Sequence, residues 1–164
     1  YGSHGVQFYQ MYSKGLMESD ENVVQLKLTG QEYSVDAYFN KQGRMVGASP
    51  RTRLWVSGGE VLESETVNNA ELINMTKQIG EKLKLNGPTC FQYIKDVADN
   101  PKLIEINGRL GGGATLSIEA GLDMIELMIS EYIHGIKLKE DSVHAEHGVY
   151  VNRSFRDHYF RTKQ

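Results

Sequence analysis

Ten consecutive residues, 31–40, alternate between two kinds of side chain, and this pattern constrains the fold more than any other in the chain. Successive side chains of a β-strand point to opposite faces, so a period of two predicts a strand. One face would carry Tyr33, Val35, Ala37 and Phe39, and the other would carry Glu32, Ser34, Asp36 and Tyr38. The segment therefore predicts a strand with one largely apolar and one largely polar face.

Turn signals beside this strand predict hairpins. Residues 40–43 (Asn-Lys-Gln-Gly) would connect it to a strand at 45–56, and Ser57-Gly58-Gly59 would make the next turn. Apolar residues at helical spacing predict a helix over 69–86, capped by Asn68 or Asn69. The other predicted elements are helices at 6–17 and 115–134 and strands at 23–29, 89–95, 102–107 and 148–155. Hairpin connections favour an α+β fold, a mostly antiparallel sheet with helices packed on one face.

Composition excludes several classes of protein. The net charge of the 164 residues is −3 and the basic residues are dispersed, whereas nucleic-acid binding usually requires a basic face. No apolar stretch approaches the roughly 18 residues of a membrane helix. The single cysteine, Cys90, cannot form an internal disulfide and suits a reducing compartment. We therefore expect a cytoplasmic protein that binds neither nucleic acid nor membranes.

The segment Ile104–Arg109 carries the strongest chemical signal. Period two places Glu105, Asn107 and Arg109 on one face, with Ile104 and Ile106 on the core side. Carboxylate and amide oxygens are ligands that Mg²⁺ prefers, and an arginine beside them can grip a phosphate. The side chain of Gln92, on the preceding strand, could complete the same cation site. The alternative is a surface strand with polar outward residues.

Charged side chains on the first hairpin form a second candidate group. Glu32 and Asp36 could hold a second metal, orient a ribose or meet a basic side chain, or they could lie on a solvated face. Arg51 and Arg53 flank Thr52 and so project from one side. They suit an anionic phosphate or carboxylate; the alternative is an exposed edge strand whose charges oppose aggregation.

Glycine-rich segments add two possible ligand contacts. Gly111-Gly112-Gly113, directly after Arg109 and Leu110, suggests close approach of the backbone to a ligand, or else a mobile loop. Gly2-Ser3-His4-Gly5 is similar to half of a phosphate-binding loop, whose N–H groups would face anionic oxygens. A complete protein seldom begins on such a loop, so we expect a fragment of a longer protein.

Taken in order along the chain, these segments resemble the ATP-grasp family. The resemblance covers residues 1 to about 135 and is closest to the large subunit of carbamoyl-phosphate synthase. Residues 30–36 resemble the segment after the adenine-binding hinge, and residues 50–53 resemble the basic substrate strand. Gln92 and residues 105–109 resemble the metal-binding strands, and residues 111–113 and 117–123 resemble the segments that follow them.

The resemblance implies a role for each candidate residue. Gln92, Glu105 and Asn107 would bind Mg²⁺ (or Mn²⁺), Arg109 would steady the transferring phosphate, and Arg51 and Arg53 would face a small anionic carboxylate substrate. ATP would be held by Gly2, Ser3, His4 and Gly5 over its phosphates, by the hinge Gln25, Leu26, Lys27 and Leu28 against adenine, and by Glu32 nearby. The implied reaction is phosphoryl transfer from ATP to a carboxylate, giving an acyl phosphate that an amine attacks.

The resemblance also implies a domain division and a rival function. Residues 1–28 would be a remnant of the central ATP-grasp lobe, and residues 29–164 the C-terminal lobe. The N-terminal lobe would be a missing partner, and the fragment alone would be weak or inactive. Leu26 replaces a glutamate that relatives use for ribose, and Gly108 replaces a proline. A non-catalytic nucleotide-binding or regulatory module is therefore the alternative, and a homo-oligomer remains an option.

Overall fold

A computed structural model describes residues 27–154 and 156–161 of the chain. Within these ranges, two antiparallel sheets are built from seven strands and accompanied by three helices. The strands are β1 (Glu32–Phe39), β2 (Met45–Thr52), β3 (Trp55–Ser57), β4 (Glu60–Glu65), β5 (Gly87–Lys95), β6 (Pro101–Asn107) and β7 (Tyr150–Asn152). The helices are α1 (Ala70–Lys82), α2 (Ala114–Glu119) and α3 (Met124–Tyr132).

The main sheet has four strands in the order β2-β1-β5-β6. The predicted alternation of β1 is confirmed: Val35, Ala37 and Phe39 belong to one hydrophobic cluster, while Tyr38 belongs to the cluster on the other face. The polar face is not solvated, however, since Ser34 and Asp36 are both 0% exposed. A strand in the middle of this sheet is thus covered on both sides.

Helix α1 covers the first face. It begins at the N-cap Asn69, whose side-chain oxygen accepts from the backbone N–H of Leu72 at 3.0 Å, as the sequence predicted for one of two asparagines. Leu72 is fully buried in the cluster around Phe91. Gly80 lies so close to the Phe39 ring that a Cβ there would collide with it. The helix and sheet therefore approach closely at a position that needs glycine.

Helices α2 and α3 cover the opposite face, where Leu122 and Met124 pack with Tyr38. The α+β class and the antiparallel sheet are confirmed, but the placement of all helices on one face is not. The predicted helix at 115–134 is also interrupted, because residues 120–123 turn through Gly121 at φ +96°. The helices thus enclose the polar face of β1 instead of leaving it to solvent.

The second sheet, in the order β3-β4-β7, explains why the predicted strand at 45–56 is too long. The chain leaves the main sheet after Thr52 and re-enters a strand at Trp55, now paired with β4. Strand β4 was not predicted, and β7 is the short core of the strand predicted at 148–155. An isolated bridge between Arg51 and Thr66 links the two sheets.

Two predicted elements near the start of the chain have no counterpart among the described helices and strands. The helix at 6–17 and residues 23–26 of the first predicted strand lie outside the described residues, and residues 27–29 of that strand have no regular secondary structure. The described part of the chain contains no helix with the length and apolar character needed to cross a bilayer.

Candidate metal and anion site

The register of the main sheet brings distant polar residues into two adjacent rows on one face. Residues directly opposite each other in an antiparallel pair share a face and stand close together. The first row is Arg51, Ser34, Gln92 and Glu105, on β2, β1, β5 and β6 respectively. The second row is Ser49, Asp36, Cys90 and Asn107 on the same four strands. Candidate site residues that come from three separate segments of the sequence therefore lie on one face of the main sheet.

Gln92, Glu105 and Asn107 meet at a single carboxylate oxygen. The amide of Gln92 donates to Oε1 of Glu105 at 3.0 Å, and the amide of Asn107 donates to the same atom. Rotating each amide by half a turn about its terminal bond replaces the N–H donor with a carbonyl oxygen. One carboxylate and two amide oxygens would then converge, a donor set that suits a hard divalent cation. The convergence fits the predicted Mg²⁺ ligands, whose role stays a prediction.

A one-residue bulge changes the prediction for the other side of β6. Gln92 pairs with Glu105 but Tyr93 pairs with Leu103, which leaves Ile104 without an opposite residue. Ile104 is 44% exposed and is not in the core, while Ile106 packs against the main cluster. The prediction that Ile104 faces the core was wrong, because a bulge interrupts the period of two in this strand.

Arg51 is not on an exposed edge, since the residue is 1% exposed. Its Nε atom lies 2.9 Å from Oδ2 of Asp36, and that oxygen also accepts from the Ser117 hydroxyl at 2.7 Å. Of the roles open to Asp36 from the sequence, meeting a basic side chain is the one found. The ion pair is almost fully desolvated, so each charge depends on the other.

Arg53 and Glu32 form the second ion pair of this hairpin, with Nε of Arg53 2.8 Å from Oε1 of Glu32. The geometry does not align the Nε–H with the carboxylate, and so the contact is an ion pair without a hydrogen bond. Glu32 keeps 32% of its side chain exposed, against 9% for Arg53. The predicted nucleotide contact of Glu32 remains a prediction.

Two of the three glycines at 111–113 lie close to side chains of the main sheet. A Cβ on Gly113 would lie 2.6 Å from the guanidinium carbon of Arg51, and one on Gly111 would lie 2.9 Å from the Cys90 sulfur. Only Gly112 faces open space among the three. Two of the glycines are therefore explained by packing on the second row and its buried ion pair.

A cavity of about 330 Å³ lies over these rows. Its lining includes the glycine loop, both rows of the sheet, the β3–β4 turn and residues from the ends of β6 and β7. The lining side chains that carry charge or metal-binding groups are Arg51, Arg53, Glu60, Gln92, Asn107, Arg109 and Arg153.

Arg153 is a candidate that the sequence analysis missed. Its Nη2 atom donates to the carbonyl of Gly112 at 2.6 Å, and Thr115 Oγ1 lies 3.4 Å away. It follows β7, which belongs to the second sheet, and so reaches the cavity from across the glycine loop. The only local signal was an arginine within the strand predicted at 148–155, and it indicates no chemistry until the second sheet is placed.

The cavity holds two kinds of arginine. Arg51 and Arg53 each have a carboxylate partner, whereas no Asp or Glu among the described residues lies within ion-pair distance of Arg109 or Arg153. Arg109 donates only to the backbone carbonyl of Leu110, at 3.0 Å. Among the arginines that line the cavity, those without a carboxylate partner in the described part of the chain are thus Arg109 and Arg153.

Cys90 is a neutral thiol beneath this surface. Burial raises its pKa to about 12, and the nearby carboxylate of Asp36 adds to the rise while Arg51 opposes it. A thiol with so high a pKa is a poor nucleophile near neutral pH. Cys90 therefore acts as a small packing residue under Gly111.

A family profile described as "ATP-grasp in the biosynthetic pathway with Ter operon" matches residues 18–155. The chain belongs to the ATP-grasp family. Among curated proteins no relative matches it. The ATP-grasp prediction is therefore confirmed at the level of the family, and the likeness to carbamoyl-phosphate synthase is not.

Solved structures similar to this ATP-grasp chain include biotin carboxylases. The Campylobacter jejuni biotin carboxylase in complex with β,γ-ATP has a TM-score of 0.57 at 18% identity, over 84% of this chain and 33% of that one. The biotin carboxylase domain of a thermophilic 2-oxoglutarate carboxylase bound to bicarbonate has a TM-score of 0.64 at 12% identity, over 84% and 34%. The biotin carboxylase subunit of a pyruvate carboxylase has a TM-score of 0.60 at 14% identity, over 88% and 35%. These identities show the fold, and the chain spans about a third of each protein.

The residues predicted to hold ATP are only partly described. Gly2, Ser3, His4, Gly5, Gln25 and Leu26 lie outside the described residues. Lys27 and Leu28 precede β1, Lys27 exposed and Leu28 half-buried. Their contact with adenine in this ATP-grasp protein stays a prediction.

Proposed function

We propose that this chain carries the Mg-ATP and acceptor site of an ATP-dependent carboxylate–amine ligase. The observation that carries the proposal is the meeting of Gln92 and Asn107 at the carboxylate of Glu105, beside a cavity that also holds Arg109 and Arg153. Cation ligands and unneutralised arginines on one surface suit a substrate made of phosphates and a carboxylate. Membership of the ATP-grasp family supports the same assignment.

Gln92, Glu105 and Asn107 are the residues that would hold Mg²⁺ or Mn²⁺. When bound, the cation supplies positive charge to the phosphate oxygens of ATP. The protein's own contribution is to keep three oxygen donors on adjacent strands, where the ladder between β5 and β6 fixes their spacing. A donor set with a single carboxylate leaves room for phosphates and water as further ligands.

Arg109 and Arg153 would contact the anionic groups that react. A carboxylate oxygen attacks the γ-phosphorus, the bond to the β-phosphate oxygen breaks, and ADP leaves. An amine then attacks the acyl carbon and releases phosphate. Charge spreads over the transferring oxygens, so guanidinium groups placed there in advance lower the barrier by electrostatic stabilisation. Arg51 and Arg53, which the resemblance assigned to the acceptor, are already neutralised and suit a supporting role better.

The acceptor in this proposal is a small anionic carboxylate. One structural relative is bound to bicarbonate and another is in complex with β,γ-ATP. A small anionic carboxylate fits this pattern and the two arginines. The same proposal includes carbamoyl-phosphate-synthase-like specificity, the division at residue 28 and the ATP contacts of residues 2–5 and 25–28.

The proposal is tested by ADP release from labelled ATP in the full-length protein, with a panel of small carboxylates and amines. We expect release that depends on one carboxylate and on Mg²⁺, and a loss of about a hundredfold in the Glu105→Gln variant. Glu126→Gln is the control, because Glu126 is an exposed carboxylate on α3. Binding of Mg-ATP without release under any condition would favour the non-catalytic module, and no binding at all would overturn the nucleotide site.

A further inference from the structure

The buried Arg51–Asp36 pair lies directly beneath the glycine loop. Gly113 faces the guanidinium of Arg51 so closely that a Cβ would lie 2.6–2.7 Å from its carbon and both terminal nitrogens. Gly111 similarly faces Asp36, with 3.1 Å from a Cβ to Oδ1. Because Gly113 has φ −97°, its backbone suits any residue, and the guanidinium alone explains the glycine.

The same pair is tied to the far end of the loop. Ser117, one turn into α2, donates its hydroxyl to Asp36 at 2.7 Å and is fully buried. The backbone N–H groups of Ala114 and Leu116 donate to Gly111 and Gly113, so the loop runs into α2 without a gap. Movement of the ion pair would therefore move the loop and the start of α2 together.

We propose that Arg51 is a positioning residue, which with Asp36 and Ser117 fixes the height of residues 111–113 above the sheet. The loop in turn places the two arginines of the anion site. Arg109 lies two residues before it, and Arg153 donates to the carbonyl of Gly112. This inference rests on the proposed function, since it assigns the device that aligns the groups of that site.

Arg51 lines the cavity, but it is 1% exposed and paired with Asp36, which favours a positioning role over direct contact with a substrate. The Nη1 atom has no partner among the described residues and is inaccessible to solvent, with Gly113 above it. While the loop keeps this position, that donor cannot reach a ligand in the cavity. An unpaired buried donor is unfavourable, and so the pair and the loop must be held in place by their packing.

The test is a double-mutant cycle between positions 51 and 113 in the full-length protein. Gly113→Ala should displace the guanidinium, lowering kcat of ADP release by about tenfold while KM for ATP stays within about threefold, because misplacement of reacting groups by about 1 Å can slow a reaction by up to about a hundredfold. Arg51→Lys removes the atoms that the new Cβ meets and keeps the charge. The double variant should therefore recover at least about threefold over Gly113→Ala.

A second measurement separates this inference from the proposed function. Hydrogen exchange at the Arg51 Nε–H reports on the ion pair whether or not the protein turns over. We expect slow exchange in the parent and faster exchange in Gly113→Ala. The matched control is Gly108→Ala, where a Cβ meets nothing within 4 Å. It should exchange as slowly as the parent.

Each outcome tests either the positioning role of Arg51 or the proposed function. Equal exchange and equal kcat in Gly113→Ala and Gly108→Ala would overturn the positioning role, as would additive effects of the two substitutions. If Arg51→Lys does not fold, Ser117→Ala replaces it, and an unchanged kcat and Nε–H exchange in that variant overturn the proposal. A parent with slow Arg51 exchange that neither binds nor hydrolyses ATP would leave the packing contact standing and overturn the function.

Discussion

The side-chain amide of Gln92 donates to Oε1 of Glu105 across the β5–β6 ladder at 3.0 Å, although the two residues are 13 positions apart. They are directly opposite each other in the register. A neutral amide in this place keeps the site at one negative charge. Its replacement by a carboxylate therefore tests the site without removing a ligand.

Gln92→Glu should bind Mn²⁺ about tenfold more tightly at pH 8 in the presence of a non-hydrolysable ATP analogue, because a second carboxylate joins the donor set. Two adjacent carboxylates also repel, which raises the pKa of one of them in the metal-free protein. The affinity of this variant should therefore fall more steeply than that of the parent as the pH drops from about 7 to 5. Titration followed by electron paramagnetic resonance measures both effects.

The control for that experiment is Gln78→Glu, which adds the same charge at an exposed position on α1. Equal Mn²⁺ affinities for the two variants would mean that position 92 is a polar surface site and not a ligand. Gln92→Ala should bind more weakly than the parent, and tighter binding there would contradict the assignment.

Asp36→Asn should lower the free energy of unfolding by about 3–5 kcal/mol, because it leaves a buried guanidinium without its counter-charge. Glu32→Gln, which breaks the more exposed pair with Arg53, should cost less than about 1 kcal/mol. Urea unfolding of both variants provides the comparison. A similar loss in the two would show that the burial of the Arg51–Asp36 pair has little energetic weight.

Arg153→Ala should reduce kcat/KM for the carboxylate substrate by about tenfold to a hundredfold, since it removes both positive charge and the contact with Gly112. Arg153→Lys should lie between this variant and the parent, because lysine keeps the charge but not the planar geometry. Arg156→Ala removes an exposed arginine three residues away and serves as the control. Indistinguishable kinetics for the 153 and 156 variants would exclude Arg153 from the anion site.

Stability at high pH should depend on Cys90. Its pKa rises from 9.0 to about 12 on folding, so between these values the unfolded chain releases a proton that the native chain keeps. The native state binds more protons there, and the free energy of unfolding should fall by up to about 1.4 kcal/mol per pH unit as the pH rises through this window. The slope should decline below pH 9 and be negligible by about pH 8, where the unfolded thiol also keeps its proton.

Cys90→Ala should flatten this slope in urea titrations between pH 9 and 11. A residual slope is expected from Tyr38, whose pKa is raised by burial and then by the adjacent Glu131. An unchanged slope in the alanine variant would mean that a group other than Cys90 causes the pH dependence. The native thiol should also resist iodoacetamide at pH 8 and react once the protein is unfolded.

Local patterns were sufficient for most of the main sheet. The strands around residues 32–39 and 87–95, the turn at 40–43 and the Asn69 cap all follow from period two, turn residues and capping chemistry over a few positions. The same reasoning placed Glu105 and Asn107 on one face. Gln92 could be added because a short turn joins its strand to theirs, which limits the possible registers.

Local patterns failed where a distant segment decides the outcome. The bulge at Ile104, the exit of the chain after Thr52 and the break at Gly121 each interrupt a pattern that continues in the sequence. Arg153 shows the same limit, because its position depends on pairing β7 with β4, which lies about ninety residues earlier.

The amino-acid sequence by itself determined most strands of the main sheet, the alternation of β1 and the three converging donors, since each depends on contacts between residues adjacent along a strand or across one hairpin. Only the tertiary structure decided that α2 and the glycine loop cover the polar face of β1. That cover turns Arg51 and Asp36 from surface charges into a buried pair and leaves Arg109 and Arg153 to face the cavity. The physical reason is desolvation: whether a charge needs a partner or is free to meet a ligand depends on which distant segment excludes water from it.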